Sequence, residues 1–303
     1  MAGSVMKAGR IQQILKNRYR SRMRYRLAQS WAKPMVNPWR FLRNQTRKCL
    51  LKFEEPSTSR VDAFHLDDFK IVDGEWVSEE IAGYGVYEPD LTWILMQLVK
   101  EGDVVMDVGM HLGYYATLFA LLTGEGGQVH AFEPTPMTRA LAAANTERFP
   151  QIHVRHEALW SDHGTIVLRD YGLKWMAFNG AKGAKLAVDF ADGVDVEVNC
   201  LTLDQLWEEL RTRIQLVKID AESAELEILK GGRRLLQEVR PLLSMEVGDA
   251  AEQGTSREAL NFALEQGYEA WEICGEKLAR HKAQESYRYG NLILAPTGWE
   301  PPC

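Results

Sequence analysis

Val104-Val105-Met106-Asp107-Val108-Gly109-Met110-His111-Leu112-Gly113 decides the fold. An apolar run ends in an acid, a glycine follows two residues later, and a second glycine opens the apolar helical pattern Tyr114 to Leu122. This is the strand–turn–helix grammar of a nucleotide-binding α/β unit, whose ligand sits at the carboxyl end of the strand. A dinucleotide fingerprint would carry glycine where Asp107 stands, so that backbone amides could approach a pyrophosphate. A carboxylate there repels phosphate instead.

The pattern therefore predicts a ligand with ribose and positive charge but no phosphate, a description that S-adenosylmethionine meets. Glu133 ends the next apolar run, about twenty residues after Gly113, where an acid can accept both ribose hydroxyls. Two plainer readings stand beside this one. Gly109 and Gly113 can form an ordinary helix-start turn, and Glu133 can serve the following helix through its macrodipole.

From residue 103 onward strands and helices alternate, which implies a parallel sheet with helices on both faces. The expected strands are Val104–Asp107, Gln128–Glu133, Ile152–His156, Leu216–Asp220, Leu242–Glu246, Tyr268–Ile273 and Asn291–Ala295. Residues 163–200 interrupt the rhythm with short strand-like runs and a loop, Lys174 to Lys185, whose Trp175, Phe178 and Asn179 suit either stacking on a sugar ring or lid packing. Residues 53–83 read as a cover of irregular structure and short strands, and 84–303 as the main domain.

Charge divides the chain. Residues 1–52 hold fourteen Lys and Arg and no acid, whereas the remaining 251 residues carry 22 bases against all 42 acids, a net of −20. Ile11, Leu15, Tyr19, Met23, Leu27 and Trp31 recur every four residues among arginines, predicting a basic amphipathic helix that stops near Pro34, with a second short helix at 37–42. Such a helix suits an anionic membrane surface, a protein partner, nucleic acid, or packing on the body through its own stripe. An organellar transit peptide is a further reading of this acid-free start. No run of eighteen apolar residues exists, and Cys49, Cys200, Cys274 and Cys303 are scattered without metal-type spacing, so a reduced, cytoplasmic setting is expected.

Asp107 to Tyr115, Ala131-Phe132-Glu133-Pro134, Glu157-Ala158-Leu159, Leu201 to Asp204, Lys218-Ile219-Asp220-Ala221-Glu222 and Arg240 to Glu246, together with Gly85 to Pro89, resemble the FkbM-type methyltransferase family over roughly residues 84–296. The resemblance implies a class I methyltransferase Rossmann-like fold: a mostly parallel seven-stranded sheet with helices on both faces, here with an N-terminal helical extension. It also implies S-adenosylmethionine as cofactor, and O-methylation of a sugar, glycan or polyketide-type hydroxyl. The cofactor would be held by Glu88, Asp107, Gly109, His111, Gly113, Glu133, Ala158, Leu159 and Asp220. Ser223 stands where the family usually has glycine, and His111 where asparagine is common.

For chemistry, Asp220 and Glu222 are the leading candidates, because an attacking alcohol must lose its proton to a carboxylate or imidazole within reach. Both acids can instead serve the N-terminus of the following helix. His111 is a third candidate, as a base near neutrality or as a hydrogen-bond donor to the cofactor. No metal is expected, since Asp220 and Glu246 lack a third matched ligand for Mg²⁺. Two other functions compete: a nucleic-acid methyltransferase using the basic arm, disfavoured by the acidic body, and a non-catalytic cofactor-binding module.

Overall fold

A computed structural model describes residues 2–32, 56–181, 193–248, 255–282, 284, 287 and 290–302. The expected helix at 37–42, the end of the 174–185 loop, Cys49 and Cys303 lie outside the described residues.

Helix α1 (Ala2–Ala32) precedes a hairpin of β1 (Thr58–Val61) and β2 (Phe69–Val72), then α2 (Trp76–Tyr84) and α3 (Pro89–Leu98). Strands β3 (Val104–Val108), β4 (Gln128–Phe132) and β5 (Ile152–Arg155) alternate with α4 (Tyr114–Thr123) and α5 (Pro136–Thr146). The interruption forms β6 (Ala158–Leu159), β7 (Gly164–Asp170), β8 (Gly180–Ala181) and β9 (Val194–Leu201). The chain then runs through α6 (Leu203–Leu210), β10 (Leu216–Ile219), α7 (Glu225–Lys230), α8 (Arg233–Glu238), β11 (Leu242–Val247), α9 (Thr255–Glu265), β12 (Tyr268–Cys274), β13 (Lys277–Arg280) and β14 (Gly290–Pro296).

The main sheet has the order β13-β12-β14-β11-β10-β3-β4-β5. From β5 to β11 it is parallel, β14 enters antiparallel, and β12 pairs with β14. All seven expected strands are present in the class I arrangement, and the β12–β13 hairpin adds an eighth at the edge. The order reverses between β3 and β10, which places the ligand crevice outside their carboxyl ends.

Alternation along the strands separates two cores. Val105, Leu216, Trp271 and Ile293 pack under α1, α3 and α4, whereas Met106, Val217, Leu243 and Leu294 pack with residues of α6 to α9. The interruption is a separate four-stranded sheet, β6-β9-β7-β8, with its own small core of Ala158, Leu168, Val198 and Cys200.

The structure adds to the sequence reading at two elements. The cover carries a helix, α2, started by Glu75, whose buried carboxylate accepts hydrogen bonds from Val77 and Ser78 amides at 3.0 and 2.7 Å. The α1 stripe packs on the body at Leu15 and Tyr19, one of the readings its sequence allowed: both are buried in the main core, and Tyr19 Oη donates to the Pro89 carbonyl at 2.9 Å. Arg20 lies over the Trp93 ring at 5.0 Å and Arg26 over Tyr84 at 4.5 Å, so the basic face is partly folded onto aromatics too. At Leu15 and Tyr19 the apolar side of α1 packs against the body around α3. No helix among the described residues is long and apolar enough to cross a membrane.

Candidate active site

The β3–α4 loop is built on backbone geometry that only certain residues tolerate. Gly109 and Met110 amides both donate to the Phe132 carbonyl, which bends the chain across the end of β4. Gly109 has φ 77°, and a Cβ there would lie 1.8 Å from the Asp220 carbonyl oxygen, so glycine is required twice over. Gly113, with φ 84°, starts α4. Between them His111 is itself left-handed at φ 51°.

Glu133 is buried and spans the loop. Its Oε2 accepts the His111 amide at 3.2 Å, and its Oε1 accepts the Thr135 amide at 3.0 Å and the Thr135 hydroxyl. Burial pushes its carboxyl up to about 7, against these hydrogen bonds.

Above this loop lies a cavity of about 390 Å³, the scale of one bound ligand. Gly109, His111, Glu133, Ala158, Leu159, Asp220 and Glu222 line it, with Ile166, Leu168 and Ile228 as apolar walls. Phe178 and Asn179 reach it from the interruption, and Trp76 from α2, although Trp175 is not among its lining residues. His111 Nε2 is buried there without a hydrogen-bond partner, 3.8 Å from Glu75, and burial lowers its pKa, leaving a neutral imidazole near pH 7.

Asp107, Gly113 and Glu88 do not line this cavity. Asp107 is wholly buried in the sheet, where register sets it beside Lys218. Lys218 is 2% exposed, and its ammonium lies 2.9 Å from Asp220 Oδ2, 3.7 Å from Asp107 Oδ1 and 4.9 Å from the Tyr115 ring centre. Burial lowers the Lys218 pKa, but Asp220, Asp107 and Glu88 together outweigh it and hold the ammonium charged. Burial pushes Asp107 up to about 6, partly offset by Lys218.

Register extends this polar band. Lys218 also pairs with Ser244, and Glu246 with Asn291, so one face of the sheet carries Asp107, Lys218, Ser244, Glu246 and Asn291 toward its carboxyl edge. Burial raises Asp220, but Lys218 and a hydrogen bond with Glu246 more than compensate, leaving it ionised. Its neighbours go the other way. Burial and then the Asp220 charge push Glu222 up to about 8 and Glu246 well above the ordinary carboxyl range. Asp220 thus favours its charged form, while burial and the Asp220 charge favour the protonated forms of Glu222 and Glu246.

Glu222 and Ser223 sit consecutively in the left-handed region, at φ 47° and 73°. That turn brings one oxygen each from Asp220, Glu222 and Glu246 within 4.8 Å of one another. Glu222 supplies the third oxygen that the sequence reading lacked, so these three are the residues that could hold a hard divalent cation. The helix-serving role falls to Glu225, whose Oε1 accepts the Ala221 amide at 3.1 Å.

Sequence reasoning missed Lys218, Glu75, Trp76 and Tyr115. A lone lysine inside the apolar run Leu216–Ile219 was the available signal for the first.

A family model described as the methyltransferase FkbM domain matches residues 107–270. The chain is 28% identical over 158 residues to hexuronic acid methyltransferase AglP of Haloferax volcanii, covering 50% of this chain and 59% of that protein. It is 30% identical over 158 residues to 31-O-demethyl-FK506 methyltransferase FkbM of Streptomyces tacrolimicus, covering 44% and 60%. It thus spans less than two thirds of the length of the curated relatives it matches. A solved structure of methyltransferase FkbM from Methylobacillus flagellatus aligns with TM-score 0.40 and 18% identity, over 63% of this chain and 43% of that one.

Proposed function

The chain belongs to the methyltransferase FkbM domain family, and from that premise we propose that it transfers the methyl group of S-adenosylmethionine to a hydroxyl oxygen of a sugar, glycan or polyketide-type molecule. The observation that carries this reading is Asp220, ionised beside Lys218 and facing a ligand-sized cavity from the end of β10. The two curated relatives, named for a hexuronic acid and for 31-O-demethyl-FK506, support a sugar or small-molecule acceptor.

The cavity residues fit the cofactor. Glu133 offers carboxyl oxygens to a ribose diol, and Leu159, Ile166, Leu168 and Ile228 provide an apolar slot for a purine. His111 Nε2, buried and unpartnered, suits the polar methionine end. When bound, the cofactor supplies a methyl carbon activated by a sulfonium, so catalysis rests mainly on aligning the attacking oxygen. Asp220, facing the cavity as a carboxylate, is the group that would take up the proton of an attacking hydroxyl. Lys218 holds the Asp220 carboxylate in place and favours its ionised form.

The test is methyl transfer from isotopically labelled S-adenosylmethionine to a panel of hexosides, amino sugars, hexuronic acids and polyketide alcohols, with calorimetry of cofactor binding alongside. Binding of NAD with no response to S-adenosylmethionine would sink the reading. Label appearing in RNA or DNA alone would replace the acceptor class. Activity that EDTA abolishes and Mg²⁺ restores would reassign Asp220, Glu222 and Glu246 to a cation.

A further inference from the structure

Of the large apolar side chains lining the cavity, Trp76 alone is mostly exposed, at 70%. It therefore stands at the mouth of the chamber that His111, Asp220 and Glu222 also line. Its backbone is fixed on both sides. Glu75 before it is wholly buried and accepts the Val77 and Ser78 amides, and Val77 after it is buried as well. Ser78 Oγ accepts the Val72 amide at 3.1 Å, which ties α2 to the end of β2. The Glu75 carboxylate also lies 3.8 Å from His111 Nε2, so the start of α2 is set against the cofactor loop. An aromatic ring held rigidly in water at the mouth of a cavity is a surface whose missing contact a ligand can supply. Phe178 lines the same cavity from the turn Met176–Phe178. Asn179 braces that turn, donating to Asp170 Oδ1 at 3.1 Å and accepting the Tyr171 amide at 2.8 Å. Trp76 lies outside residues 107–270, which the family model matches, so it is a feature of the cover and not of the shared domain.

We propose that Trp76 is the platform on which the acceptor rests, and that the acceptor presents a sugar ring, with its C–H face on the indole and its hydroxyl edge toward Asp220. This rests on the methyltransferase reading; it narrows the acceptor class and names the residue that selects it.

The lining carries the class. The cavity has the scale of one bound ligand, and the cofactor takes its inner part, so the acceptor is met at the rim where Trp76 stands. A molecule that lies on an indole and reaches Asp220 from there is apolar on one side and hydroxylated along its edge. A pyranose is both: its C–H bonds make one face apolar, and its hydroxyls project around the ring. A wholly apolar acceptor would desolvate Asp220 and Glu222 without offering either a hydrogen bond.

The experiment is fluorine NMR of the full chain labelled with 5-fluorotryptophan and saturated with S-adenosylhomocysteine. The Trp76 resonance is identified by its absence from Trp76→Phe. Methyl glycosides of glucose, galactose, mannose and N-acetylglucosamine are the probes, with uridine and cyclohexanol beside them. At least one glycoside should shift the Trp76 resonance saturably, and uridine and cyclohexanol should not. In methyl transfer to that glycoside, Trp76→Ala should raise KM roughly 3- to 10-fold and leave kcat within about twofold, with Trp76→Tyr recovering most of the loss. Its affinity for S-adenosylhomocysteine should match that of the native protein. Saturable shifts by uridine or cyclohexanol in place of every glycoside overturn the sugar class. Glycoside binding that moves other tryptophan resonances and leaves Trp76 still overturns the location, as does an unchanged KM or a loss of S-adenosylhomocysteine affinity in Trp76→Ala. Silence toward every probe overturns the proposal as a whole. Failure of the native protein to bind S-adenosylhomocysteine is a separate result, which defeats the methyltransferase reading beneath it.

Discussion

A side chain at Gly109 would collide with the backbone of Asp220: a Cβ there lies 1.8 Å from the Asp220 carbonyl oxygen. The cofactor loop and the turn that carries the acids are therefore packed backbone to backbone, and neither can shift alone. Gly109→Ala combines this clash with a left-handed φ of 77°. It should cost about 3 kcal/mol or more in urea unfolding and abolish S-adenosylhomocysteine binding. Unchanged binding by calorimetry would show that the loop and turn move independently.

Glu133 joins the His111 and Thr135 amides under the cavity. Glu133→Ala should weaken cofactor binding by about 1–3 kcal/mol, the scale of hydrogen bonds to a charged group. Calorimetry measures this directly, and an affinity equal to that of the native protein would remove Glu133 from the ribose site.

Asp220→Asn should keep cofactor affinity and lower turnover by about 10²–10⁴-fold, the range for loss of an acid–base group. Glu222→Gln should have a smaller effect, because Glu222 already holds a proton near neutrality. Equal and large losses in both would argue that the acids act together on a cation.

The buried acids make stability fall with rising pH. Folded-state values of about 7 for Glu133 and Glu225 and about 8 for Glu222 exceed the ordinary 4.5, so the native protein holds protons that the unfolded chain releases. Their contribution is complete below about pH 4.5 and is lost as pH rises through 7 and 8, at up to about 1.4 kcal/mol per pH unit for each group. Asp220, whose value is lowered, contributes with the opposite sign and only under acidic conditions. Urea midpoints of the ligand-free protein should be lower at pH 8 than at pH 5.5, and Glu222→Gln should flatten the slope. A midpoint that rises over this interval would contradict the assignment.

Ser223 adopts φ 73° and is exposed. Ser223→Gly removes the Cβ from a left-handed residue and should stabilise the protein by about 1 kcal/mol. Thermal melting decides it: a lower melting temperature would mean that the serine side chain holds the turn.

Helix α1 should behave as part of the body. Leu15→Ala should cost about 2–4 kcal/mol, as for other buried leucines. A change within about 0.5 kcal/mol would return α1 to the status of a detachable arm.

Much of the fold was legible because it is written in local periodicity. The alternation after residue 103, the Gly109 loop and the acids at strand ends all follow from spacing along the chain. The missed helix α2 is short, and its start depends on the carboxylate of Glu75, whose burial is decided by what packs over it. The stripe of α1 was visible, but not its destination. A face that repeats every four residues reads the same whether it meets lipid, a partner or α3.

By itself, then, the sequence determined the strands, their glycine turn and the carboxylates available at the sheet edge, because each depends on neighbours within a few residues. Only the tertiary structure decided what those carboxylates are. Parallel register sets Lys218 beside Asp107 and within 2.9 Å of Asp220, and the left-handed turn folds Glu222 toward Glu246. Which acid stays ionised depends on distance to one buried ammonium, and that distance spans separate strands. The hydrogen bonds of Glu88 are of the same kind, joining the start of α3 to Tyr115 and to Asn291, 203 residues away.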